Sequence, residues 1–122
     1  MEIEYYVTDN GKSPIEKYLS SLSNGRHVRQ ILDDIELLAK INLAQLQKTG
    51  DVKKIKGVKG DIWELKTSCK DNIIYRTLFE AGFNKIHILH VFNKKDQKIK
   101  MKEINKAISR LKYYYETPRV KK

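Results

Sequence analysis

Seven consecutive residues, Ile86-His87-Ile88-Leu89-His90-Val91-Phe92, are nearly all β-branched or large and apolar. A run of that kind and length reads as a strand covered on both faces at the centre of a sheet. Directly after it the chain turns wet and cationic: between Lys94 and Lys106 stand six lysines against Asp96 and Glu103. A central strand that ends in such a run delivers positive charge to one fixed place, which suits a protein that must hold a phosphate chain. The ordinary use of a charge run is a solvated turn leading into a surface helix, so the run alone does not decide between the two.

Composition narrows the partners. The chain has 122 residues, of which 33% are charged and 40% hydrophobic. It is expected to form one domain, 1–122, around one core. A net charge of +10 favours nucleic acid, a ribosome-like polyanion or an acidic protein. The single cysteine, Cys69, forbids an intramolecular disulfide and a multi-thiolate metal site. Neither a secretory leader nor an apolar run of about 20 residues is found, so a cytoplasmic setting without a membrane span is expected.

In chain order, Glu2 to Val7 alternates like a half-buried strand, and Asp9-Asn10-Gly11 turns it. Ser13-Pro14-Ile15-Glu16 opens a helix with a cap, a proline at the first position and a capping-box glutamate. A second helix follows Ser23-Asn24-Gly25, its stripe running from Val28 through Ile31, Ile35, Leu38, Leu43 and Leu46 to end near Gly50. Four strands come next, at 52–58, 62–67, 72–80 and 85–93, with short connections that favour an antiparallel meander. A last helix from about Lys100 to Glu116 closes the chain. The fold class is α+β: an antiparallel sheet, two N-terminal helices packed on one face, and a C-terminal helix.

Strand alternation decides which side chains meet. If the helix pair covers Trp63, Leu65, Tyr75 and Phe79, then Glu64, Lys66 and Arg76 converge on the open face, with Lys94 and Lys95 entering from the end of the central strand. A guanidinium grips phosphate through parallel hydrogen bonds, lysines neutralise charge developing on phosphorus, and a carboxylate accepts a proton from a ribose 2′-hydroxyl. The same residues also suit a plain cross-strand salt bridge between Glu64 and Arg76. His87 and His90, three apart in a strand, are expected on opposite faces and His27 in solvent; with no ligand set spaced around them, no metal and no other cofactor are expected. Tyr113, Tyr114 and Tyr115 must splay round their helix, leaving at least one exposed.

Four short motifs in register carry a family resemblance: Lys54-Ile55-Lys56-Gly57 with Asp61-Ile62-Trp63-Glu64-Leu65-Lys66, Ile74-Tyr75-Arg76-Thr77-Leu78-Phe79, His90-Val91-Phe92-Asn93-Lys94-Lys95-Asp96-Gln97-Lys98, and Glu103-Ile104-Asn105-Lys106-Ala107. Together they resemble the phage-derived, HigB-like branch of the RelE/ParE toxin superfamily, over nearly the whole chain. The resemblance implies the toxin of a type II toxin–antitoxin pair: a metal-independent endoribonuclease that enters the ribosome and cuts mRNA by 2′-hydroxyl attack on the adjacent phosphate. It implies a helix-turn-helix, HigA-like antitoxin as partner, with operator DNA bound only through the complex of the two.

Carried over by position, Arg76 matches the strand arginine on the scissile phosphate, Lys66 a basic residue of the preceding strand, and Lys95 or Lys94 the basic residue after the last strand. Glu64 stands where the RelE branch has lysine, though glutamate is usual in this branch, and is the candidate base. Lys94, Lys98, Lys100 and Lys56 are the expected RNA-binding lysines. The base-stacking tyrosine of the RelE branch has no counterpart, its place falling near Met101. Two other readings share the chain: a ParE-like toxin acting on DNA gyrase, and a non-enzymatic basic binding module.

Overall fold

The apolar run forms β5 (Lys85–Asn93), and Ile86 to Phe92 are all buried. The computed structural model describes residues 1–58, 61–82, 84–93 and 99–116. Around β5 stand β1 (Glu2–Tyr5), β2 (Val52–Lys54), β3 (Ile62–Ser68) and β4 (Ile74–Ala81), in the sheet order β1-β5-β4-β3-β2. Strands β2 to β5 are the expected antiparallel meander. β1 corrects it: this strand runs parallel to β5, from Glu2 against Lys85 to Tyr5 against Ile88. No hairpin joins the two strands, because all the N-terminal helices lie between them, and a long connection leaves parallel pairing open.

The helices are α1 (Pro14–Ser21), α2 (Gly25–Lys40), α3 (Leu43–Lys48) and α4 (Met101–Glu116). The start of α1 is as the sequence dictates, with Pro14 in the first turn and the Ser13 hydroxyl accepting from the Glu16 amide at 3.1 Å. The second helix is shorter than its apolar stripe. At Ile41 the backbone turns extended, and the Asn42 side chain accepts from the Ala44 amide at 2.8 Å to start α3 as a separate helix. Leu43 and Leu46 keep the hydrophobic spacing across that break, so periodicity alone did not reveal it. Asn24 caps α2 by accepting from the amides of Arg26 and His27. Asn24→Ala is expected to cost about 1 kcal/mol, read as a lower urea midpoint at unchanged slope.

Two cores flank the sheet. On one face Ile15, Leu19, Ile31, Ile35, Leu38 and Leu46 of the first three helices pack on Leu65, Tyr75, Phe79 and Ile88, with Trp63 half-buried beside them. On the other, Ala107 and Leu111 of α4 pack on Ile62, Leu78, Leu89 and Phe92. The face expected to be open is therefore partly roofed by the C-terminal helix. That double covering is why β5 is apolar on both sides.

A bulge alters the histidine faces. Leu78 pairs with His90 while its neighbour Phe79 pairs with Ile88, so β5 carries one extra residue there. The shift brings both histidines to α4, correcting the expectation of opposite faces: the His87 ring lies 3.9 Å from that of Tyr114, and His90 Nε2 lies 3.0 Å from Glu103 Oε1. His27 is also corrected, being buried with Nδ1 2.9 Å from the Tyr75 hydroxyl. The three tyrosines do splay. Tyr113 meets Tyr6 edge-on, Tyr114 meets His87, and Tyr115 is exposed with its hydroxyl donating to Glu80. Among the described residues no helix is long and apolar enough to cross a membrane.

Candidate functional site

On β3, Glu64 and Lys66 lie on the α4 face; across the ladder Glu64 opposes Leu78 and Lys66 opposes Arg76. On the outer side of β3, Glu64 opposes Lys53 of β2. The register thus surrounds one carboxylate with three cationic side chains. Glu64 is 1% exposed, and its Oε1 lies 2.5 Å from Arg76 Nη1 while its Oε2 lies 3.9 Å from Lys53 Nζ. The Arg76 side chain is 12% exposed and Lys66 is half-buried.

The chemistry of this cluster follows from what is used and what is left. A carboxylate so far from water is tolerable only beside a matched cation, and the Arg76 guanidinium supplies it. The pairing uses one nitrogen of a five-donor fork. Arg76 Nε is buried with no hydrogen-bond partner among the described residues. Such a donor normally has a partner, and a phosphate oxygen would provide one. The contact with Glu64 is close but ionic, for neither of its oxygens forms a hydrogen bond of good geometry there.

Of the residues expected from sequence, the structure brings Glu64, Lys66 and Arg76 together. Lys56 and Lys100 are exposed on the flanks, Lys56 just beyond β2 and Lys100 directly before α4, where its carbonyl accepts from the Glu103 amide. Lys94, Lys95 and Lys98 lie outside the described residues. Sequence reasoning passed over Lys53 and Phe92. Phe92 stands opposite Arg76 on β5 and stacks on His90, ring centres 5.1 Å apart and planes 19° apart. Lys53 was hidden in a lysine-rich segment, and only the β2–β3 register marks it out. Among the described residues no group of three or more histidine, cysteine, aspartate or glutamate side chains is placed to hold a metal ion.

A five-stranded sheet with helices on both faces and a cationic cluster beside its central strands has the α+β architecture of RelE-like proteins. The chain belongs to the family described as phage-derived protein Gp49-like (DUF891), whose match spans residues 17–112. That is a phage-derived, toxin-like family associated with RelE/HigB-like toxins of toxin–antitoxin systems. No curated protein matches the chain.

Proposed function

We propose that the protein is a toxin that cuts mRNA on the ribosome, without a metal, and is neutralised by a helix-turn-helix antitoxin. The observation that carries this reading is the Arg76 guanidinium: it is pinned by a buried carboxylate, has an Nε donor with no partner among the described residues, and faces Lys66 across the ladder. Arg76 and Lys66 would bind the non-bridging oxygens of the scissile phosphate and offset the charge that grows on them. The 2′-hydroxyl oxygen attacks the adjacent phosphorus, the bond to the 5′-oxygen breaks, and a 2′,3′-cyclic phosphate and a 5′-hydroxyl result. Lys95, with its neighbour Lys94, completes the cation set by the family likeness. Lys98, Lys100 and Lys56 would track the flanking backbone.

Glu64 takes a different part from the one read off the sequence. With its carboxylate 1% exposed and held between Arg76 and Lys53, its proposed role is to fix the guanidinium rather than to meet a 2′-hydroxyl.

Induction in cells tests the reading against its rivals. Rapid mRNA cleavage with intact DNA supports it; DNA damage with intact mRNA would turn the assignment to a gyrase-directed toxin. Lys66→Met is expected to slow cleavage about tenfold, roughly 1.4 kcal/mol of transition-state stabilisation, in a single-turnover assay on programmed ribosomes.

A further inference from the structure

His90 is 8% exposed and sits between two charged groups of α4. Its Nε2 lies 3.0 Å from Glu103 Oε1 and its Nδ1 lies 3.4 Å from Arg110 Nη1. A guanidinium has no acceptor, so Nδ1 must accept and Nε2 must carry the proton and donate to the carboxylate. The two contacts thus select one neutral tautomer. Arg110 is anchored in its own right, donating from Nη1 to the Leu89 carbonyl at 2.8 Å and lying 5.2 Å above the Tyr6 ring. A proton added at Nδ1 would face a guanidinium that is tied in place.

The ring has a route to the site. It stacks on Phe92, whose cross-strand partner is Arg76. We propose that His90 is a positioning residue for Arg76, acting through Phe92, and that its protonation disengages the Arg76 site and sets the acid limb of RNA cleavage. The functional half of this inference rests on the nuclease reading; the coupling between His90 and Arg76 does not.

Among the described residues the charged and titratable groups around His90 are Glu103, Lys106 and Arg110 of α4, with Tyr6 beyond Arg110 and Tyr18 of α1 within reach of Glu103's charge. Its partner on β4 is the apolar Leu78. Burial pushes the His90 pKa below the ordinary histidine value; Glu103 opposes this, and Arg110 and Lys106 add to it. Between the folded and unfolded values the unfolded chain binds more protons. The stability from neutral His90 is therefore complete above the unfolded value and is lost as pH falls through the folded one. Added positive charge ordinarily strengthens RNA binding, so a loss of activity on protonation is distinctive.

The test follows the His90 ring nitrogens and the Arg76 Nε–H by ¹⁵N NMR in the free full-length protein from about pH 8 to about pH 5. The expected result is a single Nε2-protonated tautomer at neutral pH and an Arg76 signal that moves with the His90 midpoint. Arg110→Met should raise both midpoints, and Glu103→Gln should lower them. Phe92→Leu should leave His90 titrating and free the Arg76 signal from it. The acid limb of mRNA cleavage should shift with the NMR midpoints in each variant. An Arg76 signal indifferent to His90, or a cleavage limb that stays fixed while the midpoints move, would overturn the inference. Coupling by NMR with no cleavage at any pH would overturn the nuclease reading and leave the His90–Arg76 coupling standing.

Discussion

Replacing Arg76 with alanine is expected to slow mRNA cleavage by about 10²–10³-fold, the usual loss when one fixed donor to a developing anion is removed. It is not expected to be silent for the fold. Glu64 is 1% exposed and loses its closest cation in that variant, since Lys53 stands at 3.9 Å and is itself largely in solvent. An orphaned buried carboxylate costs about 3–5 kcal/mol. The two effects separate in the double variant Glu64→Leu/Arg76→Leu, which removes both charges and should recover most of the stability while remaining inactive. Urea denaturation beside single-turnover cleavage gives both readings. A fully stable, fully active Arg76→Ala protein would leave the cluster without a role.

The second large effect belongs to Leu78. This side chain is fully buried under α4, opposes Glu64 on one side and His90 on the other, and packs with Ile62, Leu89 and Phe92. Leu78→Ala should cost about 2–5 kcal/mol, the range for a buried leucine whose cavity closes only in part. Because the lost contacts hold α4 to the sheet, hydrogen exchange in α4 should accelerate more than in α2, which packs on the opposite face. Uniform acceleration across both helices would mean that α4 has no separate opening.

The strands and most helix ends were legible because they depend on local chemistry. β5 declared itself by a run of apolar residues, α1 by Ser13-Pro14 and α2 by Asn24. The face shared by Glu64, Lys66 and Arg76 followed from alternation along β3 and β4, with no pairing information needed. What escaped the sequence were properties of pairing. The parallel docking of β1, the extra residue at Leu89 and the place of Lys53 opposite Glu64 each depend on register between distant strands. A one-residue bulge reverses the facing of all that follows, which is why His87 and His90 share α4 despite their spacing. The burial of His27 was missed for a related reason, since its partner Tyr75 lies 48 residues away. The break at Asn42 was local and open to reading, but an unbroken hydrophobic stripe masked the cap.

The most direct test of the proposed nuclease activity is the chemistry of the mRNA ends found after the protein acts on programmed ribosomes. A guanidinium held by Glu64 and joined by Lys66 around a scissile phosphate predicts a 2′,3′-cyclic phosphate, or the 3′-phosphate it opens to, on one fragment and a 5′-hydroxyl on the other. Fragments ending in a 3′-hydroxyl and a 5′-phosphate would show that water, not the ribose, attacks phosphorus, and would contradict the account.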